Sequence, residues 1–182
     1  MNSSISVRPL KQEDIPLIAN YWVNSPSDHM QAMGVDLNKR PSAEDFSRAL
    51  TGQLALPIEK RQAYCLIWEL DGQPIGHSNT NPTQYGESAY MHLHIWTPEH
   101  RKNGLGKQFL KLSIQGFFED LQLQTLYCQP YALNPAPNRT LEKVGFTFLK
   151  EYITIPGSIN FEQPVKLWEL TKANYQQLFN NA

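Results

Sequence analysis

The sequence predicts an α/β fold of the α+β kind, a mixed and mostly antiparallel central sheet of six to seven strands with helices on both faces. Three observations carry that expectation. Tyr64–Leu70 and Gln73–Asn79 are β-like runs flanking Asp71-Gly72, a dipeptide that closes two-residue hairpins, and Ala89–Trp96 follows closely enough to pair antiparallel with the second run. An apolar helix over Leu105–Leu121 then leads to a strand at Thr125–Gln129, which makes one β–α–β crossover and hence one parallel pair. Two further strands, Thr147–Ile155 and Val165–Leu170, complete the sheet.

Taken in order, Ser4–Arg8 is a short strand that Pro9 ends, and a helix follows from about Gln12 to Val23 with Ile15, Ile18 and Trp22 at helical spacing. Pro16 falls in its first turn, where the missing N–H is tolerated. Asn24–Pro41 holds turn residues without a clean period and reads as a long exposed excursion. Ser42-Ala43-Glu44-Asp45 caps a second helix reaching Gln53, with Phe46, Ala49 and Leu50 on one face. After the hairpin strands and the crossover, Asn134 suits an N-cap, Pro135 the first helical position, and Leu141 with Val144 an apolar stripe that Gly145 stops at Val144. The order is βααβββαβαββ with a tail from Ala173.

At 182 residues, 41% hydrophobic and 18% charged, the chain fits one domain spanning 1–182 with a sizeable core. A net charge of −1 supplies no long-range attraction for nucleic acid or an anionic membrane, so neither is expected as a partner. No apolar run reaches the roughly eighteen residues needed to span a bilayer, and the first residues lack a basic segment followed by an apolar one. Cys65 and Cys128 are too few for a disulfide framework and read as buried thiols. A cytoplasmic location, as monomer or homodimer, is expected, and Asn138-Arg139-Thr140 carries no meaning there as a glycosylation acceptor.

The stretch Arg101-Lys102-Asn103-Gly104-Leu105-Gly106 lies between the third hairpin strand and the long helix. Main-chain N–H groups at such a helix start converge on an anion, and the helix dipole adds to the attraction. Gly104 and Gly106 allow close approach, while Arg101, Lys102 and Lys107 add positive charge. A P-loop and a G-x-G-x-x-G dinucleotide fingerprint both fail at Phe109. An ordinary glycine turn before a helix is the plain alternative.

Paired with Asn134-Pro135-Ala136-Pro137-Asn138-Arg139-Thr140-Leu141-Glu142-Lys143-Val144-Gly145-Phe146, that loop resembles the signatures of the GNAT superfamily of acyl-CoA N-acetyltransferases, nearest its ribosomal-protein N-terminal branch. The resemblance runs over about Gln73 to Leu170. It implies a GNAT-like sheet, acetyl-CoA as co-substrate, no metal, and a primary amine of a small molecule or a protein N-terminus as acceptor. It also implies a cofactor-binding set of Ile95, Trp96, Thr97, Arg101, Lys102, Asn103, Gly104, Leu105, Gly106, Lys107, Asn134, Asn138 and Arg139, with Asn134 toward the pantetheine arm and Arg139 toward the nucleotide end.

An amine of pKa near 10.4 is about 99.9% protonated at neutral pH, and only the neutral lone pair attacks a thioester, so a base is required. His92, His94 and Tyr90 share one strand face with Trp96, and the neighbouring strand brings His77 and Asn79 beside them. Catalytic candidates are therefore His92, His94, Tyr90 and His77. Arylalkylamine acetyltransferases carry H-x-H here by resemblance, and this chain has Tyr90 in place of the first histidine. The tyrosine that many relatives use to protonate the departing thiolate falls at Leu141, which leaves Tyr131, Tyr90 or water for that task. A backbone N–H in Ile95–Thr97 would polarise the carbonyl.

Acceptor selection is expected from Asn24–Arg40 and the hairpin Ile155–Phe161. Asp28 and Asp36 are the residues that would attract a cationic amine, and Glu87 is a further base or contact at the start of the histidine strand. Each of these carboxylates could equally cap or solvate a turn. Trp22, Trp96 and Trp168 are stacking surface or core. Other readings are a non-catalytic acyl-CoA sensor and a metal site built on His77, His92, His94 or His100.

Overall fold

A computed structural model describes residues 4–100 and 104–179. One seven-stranded sheet runs through the molecule in the order β1-β2-β3-β4-β5-β7-β6. Its strands are β1 (Ile5–Pro9), β2 (Tyr64–Leu70), β3 (Gln73–Gln84), β4 (Ser88–Ile95), β5 (Thr125–Cys128), β6 (Thr147–Thr154) and β7 (Gln163–Thr171). All neighbours are antiparallel except β4 and β5, the pair that the crossover helix joins. The predicted mixed sheet with one parallel pair is therefore present.

Among the described residues six α-helices accompany it: α1 (Ile15–Asn24), α2 (Ser27–Ala32), α3 (Ala43–Leu54), α4 (Leu105–Asp120), α5 (Pro135–Val144) and α6 (Lys172–Phe179). Period-two alternation sorts β2 between the layers. Tyr64 and Leu66 join the core beneath α4, where Ile114 and Phe117 are fully buried, while Cys65 and Ile67 pack under α1 with Ile15 and Ile18. Both faces being covered explains why β2 reads as an unbroken apolar run. Trp68 stacks on Phe109 at 5.0 Å, both at 0% exposure, and each such side chain contributes roughly 2–3 kcal/mol of burial.

A buried polar contact sets the height of α4 on the sheet. Trp68 Nε1 donates to Ser113 Oγ at 2.8 Å and to Ser78 Oγ at 3.2 Å, and the two hydroxyls bond at 2.8 Å. The N-terminus of α4 is thereby held beside the end of β4.

Two segments depart from the sequence reading. Residues 24–41 are a docked cap rather than an exposed excursion. They contain the six-residue α2, and Met30 and Val35 are 0% and 2% exposed against Tyr21. Val35 bridges Asn160, and Asp36 N–H donates to Ile159 O at 2.8 Å, so the cap is tied to the β6–β7 connection. Gly34, at φ +83°, takes the turn at the centre of this contact, and a Cβ there would overlap the Gln163 carboxamide. Two buried anchors spread over a single helical turn leave no period to detect. The tail forms α6, because Tyr175 stacks on Phe118 at 4.4 Å and on Phe179 at 5.1 Å.

Candidate active site

The site begins with a split in the sheet. β4 pairs with β5 only over Ser88–Tyr90, and β5 ends at Cys128, so the β5-facing edge of Met91–Ile95 continues with no strand beside it. Trp96 N–H donates to Ile75 O at 3.0 Å, and antiparallel alternation then turns the main chains of His94 and His92 toward β3 and that of Leu93 toward the split. A cleft of about 110 Å³ fills the wedge, running from His92 and Leu93 past Tyr131 to Asn134 and Pro137 of α5.

At the wide end of the wedge stands α4. Gly104 is its N-cap at φ +74°, a conformation that favours glycine, and among the described residues no side chain caps the helix. Lys107 N–H closes back on Gly104 O at 3.2 Å. A Cβ at Gly106 would approach only Ile95 Cδ1, at 3.7 Å, so this turn keeps open space around its backbone. Arg101, Lys102 and Asn103, half of the expected cradle, lie outside the described residues. Among the described residues this is a helix start without a side-chain cap, close to the end of β4, and such a start attracts an anion.

On the opposite face of the sheet is a cavity of about 720 Å³, walled by α1, α3, the histidine face of β3 and β4, and the 156–160 segment. His92, His94, Met33, Pro156 and Asn160 line both this cavity and the wedge. The two spaces therefore meet at the two histidines.

The histidines differ in environment. His77 pairs with His94 across β3 and β4, and Asn79 with His92. Burial, and secondarily the nearby His92, lower His77 to about 3, so it is neutral at working pH and its ring accepts from Trp96 Nε1 at Nδ1, 2.7 Å away. The Nδ1 lone pair of His77 is thus engaged by Trp96. The β3 ladder breaks between Thr80 and Thr83, freeing Asn81 O to meet His92 Nε2 at 3.1 Å. A carbonyl only accepts, so His92 carries its proton on Nε2 and keeps the Nδ1 lone pair. Burial lowers the His92 pKa despite the opposing hydrogen bond to Asn81. His94 lies 4.8 Å from both the His77 and the Trp22 rings, and its Nδ1 is 3.3 Å from Tyr21 Oη. That hydroxyl is also 3.2 Å from His29 Nε2 of α2.

Other candidates are placed elsewhere. Tyr90 lies on the histidine face but stacks on Tyr127 at 5.1 Å, away from both spaces. Glu87 sits in the β3–β4 turn, where its carbonyl receives Gln124 and Thr125 N–H, and seven residues of strand put it roughly 23 Å from His94. Asp28 is exposed on α2. Asp36 caps the next turn by accepting Asn38 N–H and pairs with Lys39 at 3.8 Å, so neither aspartate faces the cavity. Asn134 lines the wedge while its side chain accepts Ala136 N–H at 3.4 Å. Asn138 is spent internally: Nδ2 donates to Tyr131 O and Asn134 O, and Oδ1 accepts from Trp168 Nε1. Arg139 is exposed on α5, Thr97 is exposed after β4, and Leu141 is core at 0% exposure. Among the described residues no group of three His, Cys, Asp or Glu side chains is placed to hold a metal.

Sequence reasoning missed Tyr21, Asn81 and the α3 wall. Tyr21 adjoins the apolar stripe of α1 and reads as core, and no side-chain pattern signals a carbonyl turned by a ladder break. The apolar face of α3 was legible, yet none of its residues is buried because that face overlooks the cavity.

Residues 5–147 match the family described as Acetyltransferase (GNAT) domain. No curated protein is similar enough in sequence to match the chain. Among solved structures, the fold is similar to spermidine N-acetyltransferase from Vibrio cholerae in complex with CoA and spermine, with TM-score 0.77, 19% identity, and 94% of this chain and 97% of that chain covered. It is also similar to the ribosomal L7/L12 alpha-N-protein acetyltransferase RimL in complex with coenzyme A, at TM-score 0.75, 12% identity and coverage of 94% and 96%. The aminoglycoside acetyltransferase AAC(6')-Ib in complex with coenzyme A gives TM-score 0.71, 16% identity and coverage of 96% and 98%.

Proposed function

Since the chain belongs to the GNAT acetyltransferase family, we propose that it transfers the acetyl group of acetyl-CoA to a primary amine, of a small molecule or a protein N-terminus, by direct attack in a ternary complex. The meeting of the wedge and the large cavity at His92 and His94 carries this reading, because it lets two reactants enter from opposite faces of the sheet and touch. Bound acetyl-CoA supplies the thioester carbon that the amine attacks.

The chain's own residues do the rest. The α4 N-terminus, with Leu105, Gly106 and Lys107 in its first turn, holds the pyrophosphate. Arg101, Lys102 and Asn103 complete that cradle, and Asn134 with Arg139 guides the arm and nucleotide end. Leu93 and Ile95, whose main chains antiparallel alternation turns toward the split, supply the N–H that polarises the carbonyl oxygen, since Trp96 N–H is already committed to Ile75 O. His92 takes the amine proton at Nδ1, its orientation set through Nε2 by Asn81 O. Tyr131, which lines the wedge, protonates the departing thiolate in place of the tyrosine that Leu141 replaces.

The Tyr21 bridge favours a second reading of the base, in which His94 takes the proton and passes it through Tyr21 Oη to His29 on the outer cap. Two buried free thiols and no described helix long and apolar enough to cross a membrane support placing this reaction in the reducing cytoplasm. Mixing the protein with acetyl-CoA and primary amines and following free thiol tests the proposal. Amine-dependent thiol release is expected; tight acetyl-CoA binding with no release for any amine would favour the sensor alternative.

A further inference from the structure

The 720 Å³ cavity has walls that restrict what reaches the histidines. Phe46, Leu50 and Leu54 of α3 face Ile18 and Trp22 of α1 across it, and Trp22 stacks on Phe46 at 5.7 Å. Phe46, Leu50 and Leu54 are half-buried, packed on one side against the core beneath α1 and open on the other to the cavity. Among the described lining residues the charged side chains are Asp45 and Arg61. Asp45 is already engaged, accepting from Ser42 Oγ at 2.7 Å and from Arg48 Nη1 at 3.1 Å. Arg61 donates to Leu56 O and Leu54 O and pairs with no carboxylate among the described residues.

We infer that the acceptor is a small primary monoamine with an apolar body of aromatic size. The inference rests on the acetyltransferase reading above and narrows its acceptor. A polyamine or an aminoglycoside brings several ammonium groups, of which only the reacting one is neutralised, and each of the others enters a mostly apolar space whose polar lining is largely uncharged and which, among the described residues, offers no unpaired carboxylate to meet it. An apolar monoamine gives up one charge to the base and gains from the walls. The volume is that of a small-molecule pocket, and the cap over residues 24–41 tied to the 156–160 segment closes it from above.

The test compares 2-phenylethylamine, spermidine, kanamycin and a tripeptide as acceptors with the full chain. It measures kcat/KM by thiol release and, separately, binding of each amine to the protein with and without CoA by calorimetry. The aryl amine is expected to exceed the others by at least about tenfold in kcat/KM, the scale set by burying one ring, and to bind where the polycations do not. Phe46→Ala should lower that preference, and Ala49→Glu, an exposed helix position at the cavity wall, should raise the relative kcat/KM for spermidine. Spermidine, kanamycin or the tripeptide matching or exceeding the aryl amine overturns the inference while leaving acetyl transfer intact. Failure of acetyl-CoA itself to bind overturns the acetyltransferase reading instead, and the amine-binding arm still decides the pocket's preference.

Discussion

Replacing His92 by Ala separates a base from a bystander by the shape of a pH profile. In the intact protein His92 is neutral above a pKa that burial holds below 6.5. With a base present, kcat/KM for an amine of pKa near 10.4 should rise through that value and then stay level until the amine itself titrates. Without the base, the acceptor must arrive already neutral. At pH 7 that form is scarcer by about 3.4 logarithmic units, so the variant should fall by roughly 2,500-fold, equivalent to about 4.6 kcal/mol in the barrier. The deficit should shrink about tenfold per pH unit and vanish near pH 10. Initial rates of thiol release from pH 6 to 10 at subsaturating amine provide the assay, with acetyl-CoA affinity and melting temperature as controls. A variant that keeps a level profile within about fivefold of the parent would refute His92 as the base.

Tyr21→Phe removes the hydroxyl between His94 and His29, and a loss of roughly three- to tenfold in kcat with a displaced acidic limb is expected if that chain moves the proton; an unchanged profile dismisses it. Asn138→Ala strips three internal hydrogen bonds, including the 2.8 Å bond from the indole of Trp168, and should lower stability by about 2–4 kcal/mol while KM for acetyl-CoA changes less than about threefold. A folded variant of unchanged melting temperature but weakened acetyl-CoA binding would return Asn138 to the cofactor surface. Burial alone would raise the Asp14 carboxyl, but the hydrogen bonds from Arg8 and Lys11 N–H hold it below its usual range. Its contribution is thus fully present above about pH 4 and lost as pH falls through the lower, folded value. Asp14→Asn should cost about 3 kcal/mol at pH 7 and reduce the acid sensitivity of the denaturant midpoint, and an unaltered midpoint between pH 3 and 7 would contradict it.

Much of the fold is a local matter and was legible in the residues. Asp71-Gly72 closes its hairpin because its backbone angles suit the turn, at φ 51° and 76°. Asn134, Pro135 and Gly145 delimit α5 through caps that need no distant partner. The glycine turn before α4 and the histidine face of β4 were readable for the same reason: turn chemistry and period-two alternation act over a few residues.

Tertiary structure alone decided what those residues face. Asp28, Asp36 and Glu87 stand out in the sequence as charges, and the fold turns Asp28 outward and sets Asp36 and Glu87 in turns. His77 and His92 share a residue type, yet Trp96 donates to the ring of one and a carbonyl at a ladder break orients the other. The apolar stripe of α3 has one helical period whether it packs wholly against protein or also borders a cavity, so only the placement of α1 and the cap set it along the cavity wall. Local sequence specifies which surfaces are apolar, charged or bent, whereas contact between them depends on how the whole chain closes, and the meeting of two cavities at His92 and His94 is a property of that closure.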